Sequence, residues 1–233
     1  MQPPARPFRQ TLEETVTTSE EAFTTEVTEH RWLSKKAFEI KLHRPAAFSF
    51  VPGQRISLRH AGVERDYSLV SSPHESHLAL CIRHVEVGQL SPALCLARTG
   101  TRLSFDGPHG YFTFKPSARP AVLIATGTGI APFRSMVRSG VAPDFILHGV
   151  ETSAELYYEK DLQPAADKYI PCLSQPDSSL EHFEGRVTAY LQAHLAPDSY
   201  DFYLSGRHEM IRDVTHLVDN LFAGSFIYSE QFY

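Results

Sequence analysis

The feature that most limits the fold is a change of hydrophobic period near residue 120. From Phe23 to Ser104 the apolar signals are short and strand-like. Phe23–Leu33 is β-branched and aromatic, Ala37–Leu42 and Gln54–Arg59 alternate, and Leu78–Arg83 and Arg102–Phe105 follow. Turn residues such as Pro52-Gly53 and Asp106-Gly-Pro-His-Gly110 separate them. Short strands at this spacing predict a closed barrel or a sandwich. Ala121-Val-Leu-Ile-Ala125 then runs apolar without alternation, as a strand buried on both faces does. Helical stretches at Ala131–Ser139, Glu155–Leu162, Val187–His194 and His208–Asn220 alternate with strand-like ones at Phe145–His148, Tyr169–Leu173, Tyr200–Leu204 and Phe226–Tyr228. That alternation predicts a parallel, doubly wound sheet. The run Lys115–Pro120 reads as the linker between the two halves, and residues 1–22, proline-bearing and polar, read as an extension.

Bulk properties remove several classes of function. With 21% charged and 42% hydrophobic residues the chain is globular. A formal net charge of −5 supplies no excess of cations for phosphate neutralisation, which speaks against nucleic acid as the main partner. No apolar run approaches the roughly 20 residues of a membrane span, and Met1–Gln10 lacks a signal-peptide core. Cys81, Cys95 and Cys172 are far apart and odd in number, so no iron–sulfur, zinc or disulfide framework is predicted. A cytoplasmic protein is expected.

Four stretches carry chemistry. Arg65-Asp66-Tyr67-Ser68-Leu69-Val70-Ser71-Ser72-Pro73 sets a cation, a flat ring and a hydroxyl within four residues of a strand. Arg65, Tyr67, Leu69 and Ser71 share one face and Ser68 the other. The arrangement suits a flat, phosphate-bearing ligand, and equally an ordinary half-buried strand closed by proline. Thr126-Gly127-Thr128-Gly129-Ile130-Ala131-Pro132 places glycines between a buried strand and a helix start, the order required of a dinucleotide-binding turn, although the third glycine of that fingerprint is absent. Gly88-Gln89-Leu90-Ser91-Pro92 reads as a bend with Ser91 as N-cap, a start able to hold an anion or simply a cap. Ser205-Gly206 sits at the carboxyl edge of a buried strand, where doubly wound folds bind ligands. The chain closes on Phe232 and Tyr233, either an apolar plug or a ring stacked on a ligand.

Taken together these motifs resemble the ferredoxin–NADP reductase family. The resemblance runs from about Phe23 to Tyr233 and keeps a specific order: Pro52-Gly53-Gln54, Arg65–Ser68, Gly88–Ser91, Gly107–Gly110, Gly127–Pro132 and Ser205-Gly206. It implies an antiparallel Greek-key β-barrel that binds FAD over residues 23–116, and a Rossmann-like sheet that binds NADH or NADPH over residues 117–233. It further implies that Arg65 pairs with the FAD pyrophosphate, flanked by Asp66. Tyr67 and Tyr233 would pack on the isoalloxazine, and Ser68 would lie near the flavin atom that receives hydride. Arg83 would line the flavin, and Gly88, Gln89, Leu90 and Ser91 would offer amides to its phosphates. Thr126, Gly127, Thr128 and Gly129 would hold the nicotinamide dinucleotide, with Ser205 and Gly206 beside the nicotinamide. Glu230 resembles an acidic residue near the terminus of some members.

Three departures stand out. Ser205 occupies a position where the family often has cysteine. Glu230 lies three residues from the end rather than two. Ser174-Gln175 replaces the Ser-Arg of members that choose NADPH, which favours NADH, with Arg186 or Arg207 as the available substitutes. The implied activity is transfer of hydride from NAD(P)H to FAD, then of single electrons to a ferredoxin, flavodoxin or oxygenase component, because no iron–sulfur domain is read in the chain. The alternatives are a free-flavin reductase and a flavin-binding electron-transfer or regulatory module without NAD(P)H oxidation.

Overall fold

The structure is a computed structural model that describes residues 22–176 and 181–232. The expected extension over residues 1–22, save Ala22, and Tyr233 lie outside the described residues. The first half contains β1 (Phe23–Trp32), β2 (Ala37–His43), β3 (Arg55–His60), β4 (Val63–Ser68), β5 (His77–Arg83), α1 (Ser91–Cys95) and β6 (Arg102–His109). All pairings in this half are antiparallel, in the order β4-β3-β6-β1-β2-β5. A bridge between Leu69 and Leu80 closes the sheet into a barrel, which decides between the barrel and the sandwich. The alternating residues Val27, Phe38, Ile40, Leu42, Ile56, Leu58, Leu80 and Phe105 fill its interior.

The second half holds β7 (Ala121–Thr126), α2 (Ala131–Val137), β8 (Phe145–Val150), α3 (Glu159–Leu162), β9 (Lys168–Leu173), β10 (Phe183–Glu184), α4 (Val187–His194), β11 (Asp201–Arg207), α5 (His208–Leu221) and β12 (Phe226–Phe232). Its strands run parallel in the order β10-β9-β8-β7-β11-β12. Val187 and Leu191 of α4 and Met210, Val214 and Val218 of α5 cover one face. Phe133 and Met136 of α2 and Leu162 of α3 cover the other. That second core continues into the barrel through Ala37, Val70, Ala79 and Cys81, so the two halves share apolar packing. No helix among the described residues is long and apolar enough to cross a membrane.

Several expectations are corrected. The extended stretch after Arg65 does not stay in one strand. β4 ends at Ser68, and Val70 donates its N–H to Ala79 O while the Ala79 N–H bonds Ser71 Oγ. The segment changes partner from β3 to β5 because that exchange is what closes the barrel. Ser91 is not an N-cap. Leu90 takes that position without a side-chain bond, and the Ser91 hydroxyl bridges the Val85 N–H and carbonyl instead. The helix expected over Glu155–Leu162 is broken. A 3₁₀ turn spans Ser153–Glu155, Tyr158 adopts a left-handed φ of 62°, and only Glu159–Leu162 is α-helical. Tyr158 leaves the helical conformation with its hydroxyl 2.8 Å from the buried Glu39, a tertiary bond that outweighs local periodicity. A 3₁₀ turn, Gly127–Ile130, likewise precedes α2.

Candidate interdomain nucleotide cleft

A cleft of about 1660 Å³ runs between barrel and parallel sheet. From the barrel, Arg65 to Ser68, Arg83 and Gly88 to Ser91 line it; from the sheet, Thr126 to Gly129, Ser174, Gln175, Gly206 and Glu230 do. The tertiary structure thus brings these sequence-selected residues to one place. Ser205 stands just behind that wall, fully buried and in register with Ala125 and Glu230.

On the barrel side, the Arg65 guanidinium donates to Gln89 Oε1 at 2.6 Å and to the Glu64 carbonyl at 2.7 Å. Both acceptors are neutral, so a full positive charge faces the cleft with no carboxylate on it among the described residues. A diphosphate suits such a cation, because a planar guanidinium can bind two phosphate oxygens at once. Burial pushes the Tyr67 phenol up to about 12, so its ring stays neutral and flat. Asp66 is occupied otherwise: it accepts Arg55 Nε at 2.8 Å and the Ser57 hydroxyl at 2.5 Å. The expected anion site at Gly88–Ser91 opens only a five-residue helix, α1, with its serine hydroxyl already bonded.

On the sheet side, the glycine turn is shaped by its neighbours. Gly127 adopts φ 52° with open space where a Cβ would stand. A Cβ on Gly129 would run into the Ser205 carbonyl, and one on Gly206 into Thr126 Oγ1, so β7 and β11 approach closely only because both positions are glycine. The Thr126 hydroxyl accepts the Arg207 N–H at 3.1 Å and ties the two strand ends together. Beneath the turn, His148 is fully buried between Gly127 O at 3.3 Å and the Tyr169 hydroxyl at 3.1 Å. A carbonyl can only accept, so Nε2 carries the proton and Nδ1 accepts from Tyr169. Burial lowers the imidazole to about 4, which keeps it neutral. At the far end, the backbone of Ser174 and Gln175 bonds the carbonyls of Val150 and Glu151, and the Gln175 side chain is exposed. Arg186 and Arg207 line the same end, Arg207 with Glu151 at 3.9 Å.

Where the two walls meet, Ser68 Oγ donates to Glu230 Oε2 at 2.6 Å. Glu230 is 8% exposed and its Oε1 has no hydrogen-bond partner; the nearest cation is Arg55 Nη1 at 3.6 Å. Burial raises the carboxyl above its ordinary value, against the opposing pull of Ser68 and Arg55. Ser205 Oγ is also buried without a partner. Unmatched polar atoms beside a cleft are what a polar cofactor would satisfy. The residues present therefore fit FAD and a nicotinamide dinucleotide: a cation for phosphates, a flat ring, a glycine turn with room above it, and an unmatched carboxylate oxygen on a residue of the wall.

Sequence reasoning missed Arg55 and His148. Both look like ordinary members of a strand, and their partners, Glu230 and Gly127, are distant in the chain.

Residues 24–114 match the family model of the oxidoreductase FAD-binding domain, and residues 123–216 that of the oxidoreductase NAD-binding domain. The toluate 1,2-dioxygenase electron transfer component of Pseudomonas putida is 31% identical over 196 residues, which is 78% of this chain and 58% of that protein. Ferredoxin–NADP reductase B of Sorangium cellulosum is 35% identical over 170 residues, 66% of this chain and 68% of that protein. A ferredoxin NADP+ reductase from Neisseria gonorrhoeae, solved with bound FAD and NADP, superposes with a TM-score of 0.79 at 19% identity, covering 91% of this chain and 99% of that one. The fold and the paired matches define a two-domain arrangement for flavin and nicotinamide dinucleotides. The chain belongs to the ferredoxin–NADP reductase family, although it spans only a little over half, 58%, of the first curated relatives it matches.

Proposed function

We propose that this protein is an FAD-dependent NAD(P)H oxidoreductase that favours NADH and delivers electrons one at a time to a separate protein acceptor, a ferredoxin, flavodoxin or oxygenase component. FAD held in the cleft would accept hydride from the nicotinamide and release single electrons; that redox chemistry belongs to the cofactor. The chain's own residues bind, orient and manage protons. Arg65, backed by Gln89 and the Gly88–Ser91 bend, would hold the flavin diphosphate. Tyr67 would pack on the flavin ring and Arg83 would line it, with Tyr233 on the opposite face. Thr126 to Gly129 and Gly206 would seat the nicotinamide dinucleotide, and the bare Ser205 hydroxyl would orient the nicotinamide. Ser68 and Glu230 would hold and pass a proton. Ser174 and Gln175 would meet the adenosine ribose, where glutamine offers no charge to a 2′-phosphate, which supports NADH.

The observation that carries this reading is the Ser68–Glu230 contact, because it joins the two halves at the cleft and leaves a buried carboxylate oxygen unmatched beside it. The relatives named as dioxygenase electron transfer components, from Pseudomonas putida and Acinetobacter baylyi, support a protein acceptor. The free thiols Cys81, Cys95 and Cys172 support a reducing, cytoplasmic setting.

A second reading has its own support. The NAD(P)H-flavin reductase of Vibrio harveyi is 29% identical over 204 residues and 84% of its length is covered. Such an enzyme would release its flavin readily. Mixing the purified protein with NADH or NADPH and following the flavin absorbance in a stopped-flow instrument separates these readings. A yellow protein bleached faster by NADH than by NADPH supports the first. A colourless protein that reduces added flavin supports the second, and a yellow protein that neither nucleotide bleaches defeats both.

A further inference from the structure

Beside the cleft lies a second basin of about 680 Å³ lined by Ser57, Arg59, Asp66, Asp106 and His109. Arg55, Asp66, Gly110 and the 94%-exposed Tyr111 border it, and Arg55, Asp66 and Tyr111 also border the cleft. Arg55 is therefore part of the wall between buried carboxyl and solvent. Its two ends do different things: Nε donates to Asp66, and Nη1 faces Glu230 at 3.6 Å. Room for this pose is built in, because a Cβ on Gly110 (φ 88°) would press on Arg55 Nη1.

We propose that Arg55 is a positioning residue whose guanidinium decides when the Glu230 carboxyl releases its proton. The inference rests on the reading of the cleft as a flavin site. For each NADH oxidised, two electrons go to the acceptor and one proton must return to solvent. Ser68 is buried at the cleft wall, and Glu230 is the titratable group bonded to it. The groups that face Glu230 are Ser68 and Asp66 from β4, Arg55 from β3, Gly110 from the loop after β6, and Ser205 from β11. Arg55 is the one cation among them. It does not itself lose a proton in a protein. It acts by favouring the charged carboxylate, against burial and Asp66, which favour the neutral acid. The other cation of the basin, Arg59, is engaged by Glu64 and Asp106 and does not reach Glu230.

The test reads the proton directly. In the whole protein with its flavin bound, the infrared carbonyl band of protonated Glu230, assigned by its loss in Glu230→Gln, is followed against pH. Arg55→Met should raise its midpoint by about one pH unit, the size expected when an opposite charge at this distance is removed. Arg55→Lys should raise it by less. Arg59→Met should move it by less than about half a unit, as screened surface charges do. An unmoved midpoint in Arg55→Met, or an equal shift in Arg59→Met, overturns the proposal. Should Arg55→Met fail to fold, an unmoved midpoint in Arg55→Lys, whose point charge cannot serve Asp66 and Glu230 together, overturns it equally. Bleaching by NADH is recorded on the same samples. Its failure would remove the functional reading, whereas the midpoints would still report whether Arg55 governs Glu230.

Discussion

Barrel and sheet meet along two seams of opposite character. On one, Glu39, only 2% exposed, accepts the Tyr158 hydroxyl at 2.8 Å and Arg31 Nη2 at 2.9 Å, with Arg134 Nη1 at 3.8 Å. Arg134 also lies over the Tyr158 ring at 4.4 Å and donates to Asp161. Nearby the Ser135 hydroxyl donates to the Ser71 carbonyl at 2.6 Å. On the other seam Ser68 and Glu230 touch once, Glu230 Oε1 has no hydrogen-bond partner, and the Ser205 hydroxyl has none at all. Buried polar groups cost free energy unless matched. The first seam matches its groups internally and so locks the halves together. The second leaves some unmatched at a cleft large enough for a dinucleotide, which under the proposed function a ligand would complete. Matched and unmatched polar groups are divided between two edges of one interface.

The largest expected effect falls on the closed seam. Glu39→Gln removes the buried charge that Tyr158 and Arg31 bond and Arg134 faces, and we expect a loss of about 4 kcal/mol in urea unfolding, in the range for breaking buried pairs. A loss below about 1 kcal/mol would mean that this seam is not what holds the halves together.

Next in size is His148, which asks whether the floor of the cleft is as well matched as the closed seam. Its folded imidazole titrates near 4 against an ordinary 6.5, chiefly through burial. A lowered folded value means that the unfolded chain binds more protons in that window. Stability is therefore intact above pH 6.5 and declines as the pH falls toward 4, by about 3 kcal/mol. Urea titrations of the native protein and His148→Gln across this range check it; the difference between the two curves should vanish if His148 is not buried as described.

Arg65→Ala probes the open seam from the barrel side. Loss of a charged hydrogen-bond donor should weaken FAD retention by about 2 kcal/mol, roughly thirtyfold, measured by fluorescence of released flavin, with little change in flavin-free stability. Equal retention would take Arg65 out of the site.

The smallest effect is the most diagnostic. Ser205→Ala removes a buried hydroxyl that nothing satisfies, so the flavin-free protein should gain up to about 1 kcal/mol while flavin reduction by NADH slows. A loss of stability instead would show that Ser205 already has a partner, and the contrast between the seams would weaken.

Much of this was legible in the residues. The alternation of Ala37–Leu42 and Gln54–Arg59 and the unbroken run Ala121–Ala125 announced a one-faced antiparallel sheet followed by a sheet buried on both sides, since exposure dictates side-chain period. The glycine turn after Ala125 announced an edge of the cleft. Less legible were features set by distant partners. Tyr158 interrupts a periodic helix to reach Glu39, 119 residues away. Ser91 gives up a cap for Val85. The strand Phe183–Glu184 has two residues and no pattern of its own, and it exists because β9 offers an edge.

By itself, then, the amino-acid order determined the two architectures, their order in the chain and the residue types at the cleft, because local period, turn chemistry and glycine placement are short-range properties. Tertiary structure alone decided which groups are matched and which are left bare. Glu39 and Glu230 are both glutamates on strands. One is enclosed by a phenol and two guanidiniums, the other by a single hydroxyl and a cation beyond hydrogen-bond distance. Hydrogen-bond satisfaction depends on what folds around a group, and that information lies in the partners, up to 175 residues away, as Arg55 is from Glu230.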